Sequence, residues 1–328
     1  MKMRKEPIIL GIVIVVLSLY LIFNTSDRSL YELPNLEPVS PSRISKMTLE
    51  SSKGSIVFIR KAGAWVVNEE AYPGDETSIK RVTDIVANLR LTTLISESRN
   101  YERYDLDPEH AITVKAWEGD QLVREFDVGK AVPGNRQTFV KLADDYRVYH
   151  AGEGFRNRVQ GNVDMFRDKT VMSFEPGQIE QVQVSRKDAQ AVFVKEKSPE
   201  AAGETLADDG TPGVKTAESV WRNASGEGVK ENKLTKLVDD FSTLKCGSFV
   251  YDRRKTDVTD PIATITFKGA QDHTVKVFEP FEKDASEYPA ASSQNDDLFM
   301  LPKWQADQVI NAFDEIVSPE REAAAAWE

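Results

Sequence analysis

Ile44-Ser-Lys-Met-Thr-Leu49, Ser55-Ile-Val-Phe-Ile-Arg60 and Trp65-Val-Val67, with the helix pattern after Pro73-Gly-Asp75, form a stretch that the chain writes a second time. The first two runs read as period-two strands separated by a turn at Gly54, and Trp65-Val-Val67 as a third, shorter strand. Ile79, Val82, Val86 and Leu89 then recur at spacings of three and four, which puts them on one face of a helix. Asp75 is its expected N-cap, because a carboxylate there accepts from an otherwise unpaired N–H of the first turn.

The second copy has the same order. Ile179-Glu-Gln-Val-Gln-Val184 and Ala191-Val-Phe-Val194 take the places of the two strands, Trp221 that of Trp65, and Leu234, Leu237, Val238, Phe241 and Leu244 make the helix face. Leu89 aligns with Leu244, Leu94 with Phe249 and Glu97 with Asp252. Downstream, Asp105-Leu-Asp-Pro108 before Ile112-Thr-Val-Lys115 parallels Asp257-Val-Thr-Asp-Pro261 before Ile265-Thr-Phe-Lys268. Repetition in fixed order and near-fixed spacing reads as a tandem duplication. The predicted fold class is α+β: an N-terminal transmembrane helix, then two duplicated domains, each a mostly antiparallel sheet with a helix packed on one face.

The expected boundaries are a tip and anchor over 1–25, a Pro-containing stalk over 26–43, a first repeat over 44–162, a linker over 163–178, a second repeat over 179–317 and a tail over 318–328. Within the first repeat, runs at 112–117, 122–128, 137–142 and 147–150 alternate as a four-stranded antiparallel meander, closed by a short helix near Phe155 and Val159. The second repeat carries an insertion at 197–216, rich in Ala, Glu, Asp, Gly and Pro, expected to be a mobile loop. Trp304, Val309, Ile310 and Phe313 predict a longer C-terminal helix.

The 328 residues suit two domains, and a hydrophobic share of 40% suffices for two cores. A formal net charge of −11, without a basic patch interleaved with aromatics, argues against nucleic acid as a partner. Lys2, Arg4 and Lys5 precede an uncharged apolar run from Ile8 to Phe23, near the short end of the roughly 17–25 residues that cross a bilayer. The positive flank predicts a cytoplasmic N-terminus with the rest of the chain outside. A cleaved signal peptide is the competing reading; the run's length and its end at Tyr20, Phe23 and Asn24, with no Ala-x-Ala, favour the anchor. Cys246 is the only cysteine, which excludes an intramolecular disulfide and multi-cysteine metal sites and suits a small buried side chain.

His110, His150 and His273 sit in unrelated contexts without metal-ligand spacing, and no nucleophile elbow, phosphate-binding loop or zinc-protease helix is present. Asp208-Asp-Gly210 lacks the ligand spacing of a calcium loop. The candidate polar positions are Asp105 and Asp107, with Asp257 and Asp260 as counterparts. Paired carboxylates serve as general acid and base or hold a cation, yet Asp before Pro is also a common turn device. Recurrence in both copies favours the turn. Trp65 and Trp221 are expected to fill the layer between sheet and helix. No catalytic residue, cofactor or metal is predicted.

Ile44-Ser-Lys-Met-Thr-Leu49, Gly63-Ala-Trp65, Tyr72-Pro73, Tyr104-Asp-Leu-Asp-Pro108 and Phe166-Arg-Asp-Lys-Thr170 before Phe174-Glu-Pro176 resemble the family called domain of unknown function 4340, from about Arg43 to Val317. The resemblance implies a protein of the bacterial inner membrane, single-pass and extracytoplasmic, often accompanying an ABC-type transport system of the gliding-motility kind. It carries over no catalytic residues. The expected function is a non-enzymatic accessory or scaffold subunit of such an assembly, contacting the bilayer through residues 8–23 and an integral-membrane partner. Alternatives are a module binding lipid or cell-wall glycan, and a hydrolase using Asp105 and Asp107.

Overall fold

Alternating apolar side chains put one face of each strand run against its helix, and the strands pair accordingly. In the computed structural model the described residues are 13–20, 31–134, 136–187, 189–197, 219–223 and 229–317. They divide into two compact units, Met1–Phe166 and Arg167–Glu328.

The first unit contains β1 (Lys46–Ser51), β2 (Gly54–Lys61), β3 (Ala64–Val67), β4 (Tyr72–Pro73), α1 (Glu76–Ala87), β5 (Leu91–Ser96), β6 (Ile112–Glu118), β7 (Gln121–Ala131), β8 (Thr138–Leu142), β9 (Val148–Ala151) and a one-turn α2 (Arg156–Val159). Its nine-stranded sheet runs β4-β3-β2-β1-β6-β7-β8-β9-β5. The second unit contains β10 (Thr170–Ser173), β11 (Gln181–Arg186), β12 (Ala189–Lys197), β13 (Ser219–Asn223), α3 (Glu231–Phe241), β14 (Thr243–Lys245), β15 (Ser248–Phe249), β16 (Ala263–Lys268), β17 (Asp272–Val277), β18 (Glu287–Ser292), β19 (Phe299–Pro302) and α4 (Lys303–Val317). Its eight-stranded sheet runs β13-β12-β11-β16-β17-β18-β19-β15, the order of the first sheet without β4. All pairings are antiparallel, and β6 to β9 form the expected meander.

The same local device recurs in both units. Glu76 in the first turn of α1 accepts the backbone N–H of Trp65 at 3.1 Å, and Glu231 in the first turn of α3 accepts that of Trp221 at 3.0 Å. Both indoles are buried, at 3% and 4% exposure. On the facing strand, Arg60 lies 4.7 Å from the Trp65 ring and Lys195 lies 5.7 Å from the Trp221 ring. Asp75 caps α1 as expected, accepting from Ser78 N at 2.7 Å.

Strand registers correct one alignment. Leu49 faces Val114 and Val184 faces Ile265, so Ile265 is the counterpart of Val114, two residues beyond Ile112. A period-two pattern does not register a slip of two, because the same side chains stay on the core face.

The expected stalk and linker are the same packed element. From residue 31 the chain lies on the first unit: Leu33 and Leu36 pack against its core, Val39 is buried, and Arg124 donates to the Glu37 carbonyl at 2.5 Å. Residues 163–178 are not a free linker: Phe166 is buried in the first core, Val171 and Met172 in the second, and β10 pairs with β14. Both segments end in a 3-10 turn opened by proline, Pro41–Arg43 and Pro176–Gln178, just before the buried Ile44 and Ile179. Each runs extended and so lacks periodicity to read.

α4 forms as expected through Val309, but Trp304 is 62% exposed; the buried face is Ala306, Val309, Ala312 and Ile316. Most of the 197–216 insertion, the 318–328 tail and most of the 8–23 run lie outside the described residues. Residues 13–20 of that run are helical, and no described helix is long and apolar enough to cross a membrane.

The opposite face of each sheet is partly covered by the loop that carries the Asp-Pro pair. Tyr104 and Leu106 pack with Val148 in the first unit; Val258 packs with Phe278 and Leu298 in the second. By register Gly129 is the counterpart of Phe278: the glycine admits the loop backbone, and the phenylalanine fills that space itself. A Cβ at Gly129 would stand 2.3 Å from the Tyr104 carbonyl oxygen. Gly129→Ala is expected to lower unfolding free energy by about 1–3 kcal/mol in denaturant titration, as overpacking does; an unchanged midpoint would contradict this packing.

Candidate functional site

The loop from Tyr101 to Ala111 holds two of the four candidate aspartates. A 3-10 turn over Glu102–Tyr104 ends at Asp105 in the left-handed region, φ 55°, with its carboxylate 3.8 Å from Lys130 Nζ. The Asp107 carbonyl accepts from His110 N at 3.1 Å and Ala111 N at 2.9 Å, and its Oδ2 lies 2.7 Å from His110 Nδ1. In the second unit, Asp257 accepts from Arg254 N at 2.8 Å inside its own 3-10 turn. Asp260 adopts φ 59° and accepts from Thr259 Oγ1 at 3.2 Å. The aspartates are thus built into turns, and Asp257 is not the structural counterpart of Asp105: the residue following its turn is Val258.

The two loops differ where it matters for chemistry. Asp107 stands five residues before Ile112, whereas Asp260 stands three before Ala263, the counterpart of Ile112 in the sheet. The first unit therefore has two extra residues, Glu109 and His110. With Asp107 they form a trio whose potential ligand atoms lie within 4.8 Å of one another, and Asp107 Oδ1 is buried without a hydrogen-bond partner. Sequence reasoning set His110 aside because it, His150 and His273 sit in unrelated contexts without metal-ligand spacing. The mismatch in loop length between the repeats was the signal available.

Side chains from elsewhere hold this corner. Ser52 Oγ donates to the Glu109 carbonyl at 2.8 Å. Arg156 donates to the His110 carbonyl at 2.7 Å, to the Val128 carbonyl at 3.0 Å and to Gln160 Oε1 at 3.1 Å. Beside it opens a cleft of about 760 Å³ between the β1–β2 hairpin, the start of β6 and α2. Leu49, Ile56, Ile112 and Val159 line it from the core side, and Lys53, His110 and Asn157 are exposed at its rim. Its size is that of a small-molecule site.

The other singled-out residues are structural. His273 is buried, stacked on Phe174 at 5.1 Å with Nδ1 2.6 Å from Gln294. His150 packs on Phe139 at 4.8 Å, and burial pushes its imidazole pKa down. Cys246 is buried. Asp145 accepts two bonds from Arg147 Nε and one from Tyr149 Oη at 2.6 Å, and Arg147 above all holds its carboxyl down at about 2.

The family model described as a domain of unknown function (DUF4340) matches residues 65–269, more than half of the chain and parts of both units. The chain belongs to this family. The match opens at the buried Trp65 and closes just beyond β16, so it takes in both Trp–Glu pairs and both Asp-Pro loops. No curated protein and no solved structure matches the chain.

The hydrogen bond and charge of Asp107 raise the pKa of His110, and His110 in turn lowers that of Asp107. A raised histidine stabilises the fold below its unfolded pKa, about 6.5, and that contribution fades as pH rises through the folded value. An NMR titration should place His110 above its ordinary value and return it toward about 6.5 in Asp107→Asn; a His110 titration indifferent to Asp107 would refute the pairing.

Proposed function

We propose that this chain is a non-catalytic, membrane-anchored accessory subunit that presents two copies of one sheet-and-helix unit outside the membrane to an integral-membrane partner of ABC type. The observation that carries this reading is the use of the candidate carboxylates. Asp107, Asp257 and Asp260 each accept a hydrogen bond from within their own turn, and Asp105 closes a turn beside Lys130. A general acid and base need to face a shared substrate space; these groups instead complete loops that cover a sheet face. The uncharged run from Ile8 to Phe23, behind Lys2, Arg4 and Lys5, supports the anchor and its orientation.

The cleft beside His110 favours a second reading, a module that binds a lipid or cell-wall glycan, because it joins an apolar wall to a polar rim.

Crosslinking in native membranes followed by affinity purification and mass spectrometry is expected to recover stoichiometric transporter membrane subunits. The protein recovered alone would sink the accessory reading, and copurified lipid or glycan would transfer support to the second. Asp105→Asn and Asp107→Asn should both complement a deletion strain; loss of function at unchanged Tm would instead point to hydrolysis.

A further inference from the structure

Arg124 is a buried cation without a counter-ion. It stands on β7, 8% exposed, and donates to the Glu37 carbonyl at 2.5 Å, while its Nε is buried with no hydrogen-bond partner. Burial pushes the guanidinium pKa down, and the Glu37 charge opposes this only at longer range. A desolvated charge is costly unless an opposite charge meets it. The same side chain lines a second cleft, of about 1060 Å³, between residues 31–36, the start of β7 and the β8–β9 turn. Apolar surface is open there: Leu33, Leu36 and Leu142 are half-buried, and Leu122 is 44% exposed. Of the other charged residues lining it, Arg147 is taken by Asp145, and Glu125 lies 3.8 Å from Lys115. Glu32, Glu97 and Asp144 are exposed and form no ion pair with the described residues.

The second unit settles the same place with its own chain. Counting back from Ile44 and Ile179, Glu32 corresponds to Arg167. Arg167 is 3% exposed, lies 3.6 Å from the Phe249 ring and pairs with Asp297 at 2.5 Å. Arg124 corresponds to His273, whose Nδ1 meets Gln294 at 2.6 Å. There the buried cation has its carboxylate; in the first unit it lacks one and faces a cleft.

We propose that this cleft captures the carboxyl-terminal tail of a partner protein, a tail with aliphatic last residues and lysine or arginine just before them. Its terminal carboxylate meets Arg124, its aliphatic side chains lie on Leu33, Leu122 and Leu142, and its basic side chains meet Glu32, Glu97 and Asp144. Each part of this chemistry answers a group that the chain leaves unanswered. A carboxylate on a guanidinium is a charge-assisted bond, and capture of a chain terminus is a recurring mode of peptide recognition. The cleft's volume lies at the upper end of the roughly 300–1,000 Å³ of small-molecule sites, which suits an extended chain better than a metabolite. The inference stands apart from the accessory reading, since a tail can seat here without a transporter.

The test is a calorimetric titration of the full-length protein with an acetylated octapeptide, Gly-Ser-Gly-Lys-Leu-Lys-Leu-Leu, bearing a free carboxyl end. It is expected to bind one-to-one, and its carboxyl-terminal amide about tenfold or more weakly, because amidation removes the charged acceptor for Arg124. Arg124→Gln should abolish the difference between acid and amide. Glu32→Gln combined with Glu97→Gln should weaken the acid peptide about two- to fivefold. Both positions are exposed, so Tm should not move in that variant. No binding at about 1 mM peptide, an amide bound as well as the acid, or a doubly substituted protein that binds as the wild type does would overturn the proposal.

Discussion

At the margin of an antiparallel sheet a backbone donor is left without a neighbouring strand, and in this protein a helix's first turn supplies the acceptor. The Glu76 carboxylate holds the Trp65 N–H and the Glu231 carboxylate holds the Trp221 N–H. Each bond joins the strand that carries the tryptophan to the helix that covers the sheet, and sets the indole between them as core. A charged acceptor makes this bond stronger than an ordinary backbone pair. A carboxylate at the first helical position also meets the positive end of the helix dipole. The strand order follows on both sides of this junction in the two units alike.

Around that shared frame, the copies have solved the same packing problems differently. Gly129 makes room for a loop backbone where Phe278 fills the space. Arg124 binds the lead-in segment through the Glu37 carbonyl, while its register counterpart His273 stacks on Phe174 of the second lead-in. The last helix runs to Val317 in one unit and ends at Val159 in the other. Divergence of this kind gives the first unit its Asp107–Glu109–His110 corner and the cleft beside it.

The duplication, the strand runs, the meander and α1 with its Asp75 cap were legible because each rests on local periodicity or local capping. What escaped the sequence were features without a period. The lead-ins over 31–43 and 166–178 are extended and proline-punctuated, so their buried Val39, Val171 and Met172 carried no pattern. The two-residue slip at Ile265 left the alternation intact and was invisible to it. Trp304 was counted with Val309, Ile310 and Phe313 as the pattern of the last helix, yet it is exposed while Ala306 and Val309 are buried. At the candidate site the aspartates lie in turns, and His110 was judged by spacing alone. Its pairing with Asp107 depends on two residues that the second repeat lacks.

Amide hydrogen exchange at Trp65 and Trp221 tests the central claim most directly, since both amides face outward from their sheets and depend on one carboxylate each. Both should be protected in the wild type, with protection at Trp65 falling by about tenfold or more in Glu76→Ala, and at Trp221 likewise in Glu231→Ala, each without effect on the other. Amides that exchange freely in the wild type, or protection that survives both substitutions, would contradict an architecture built twice around the same junction.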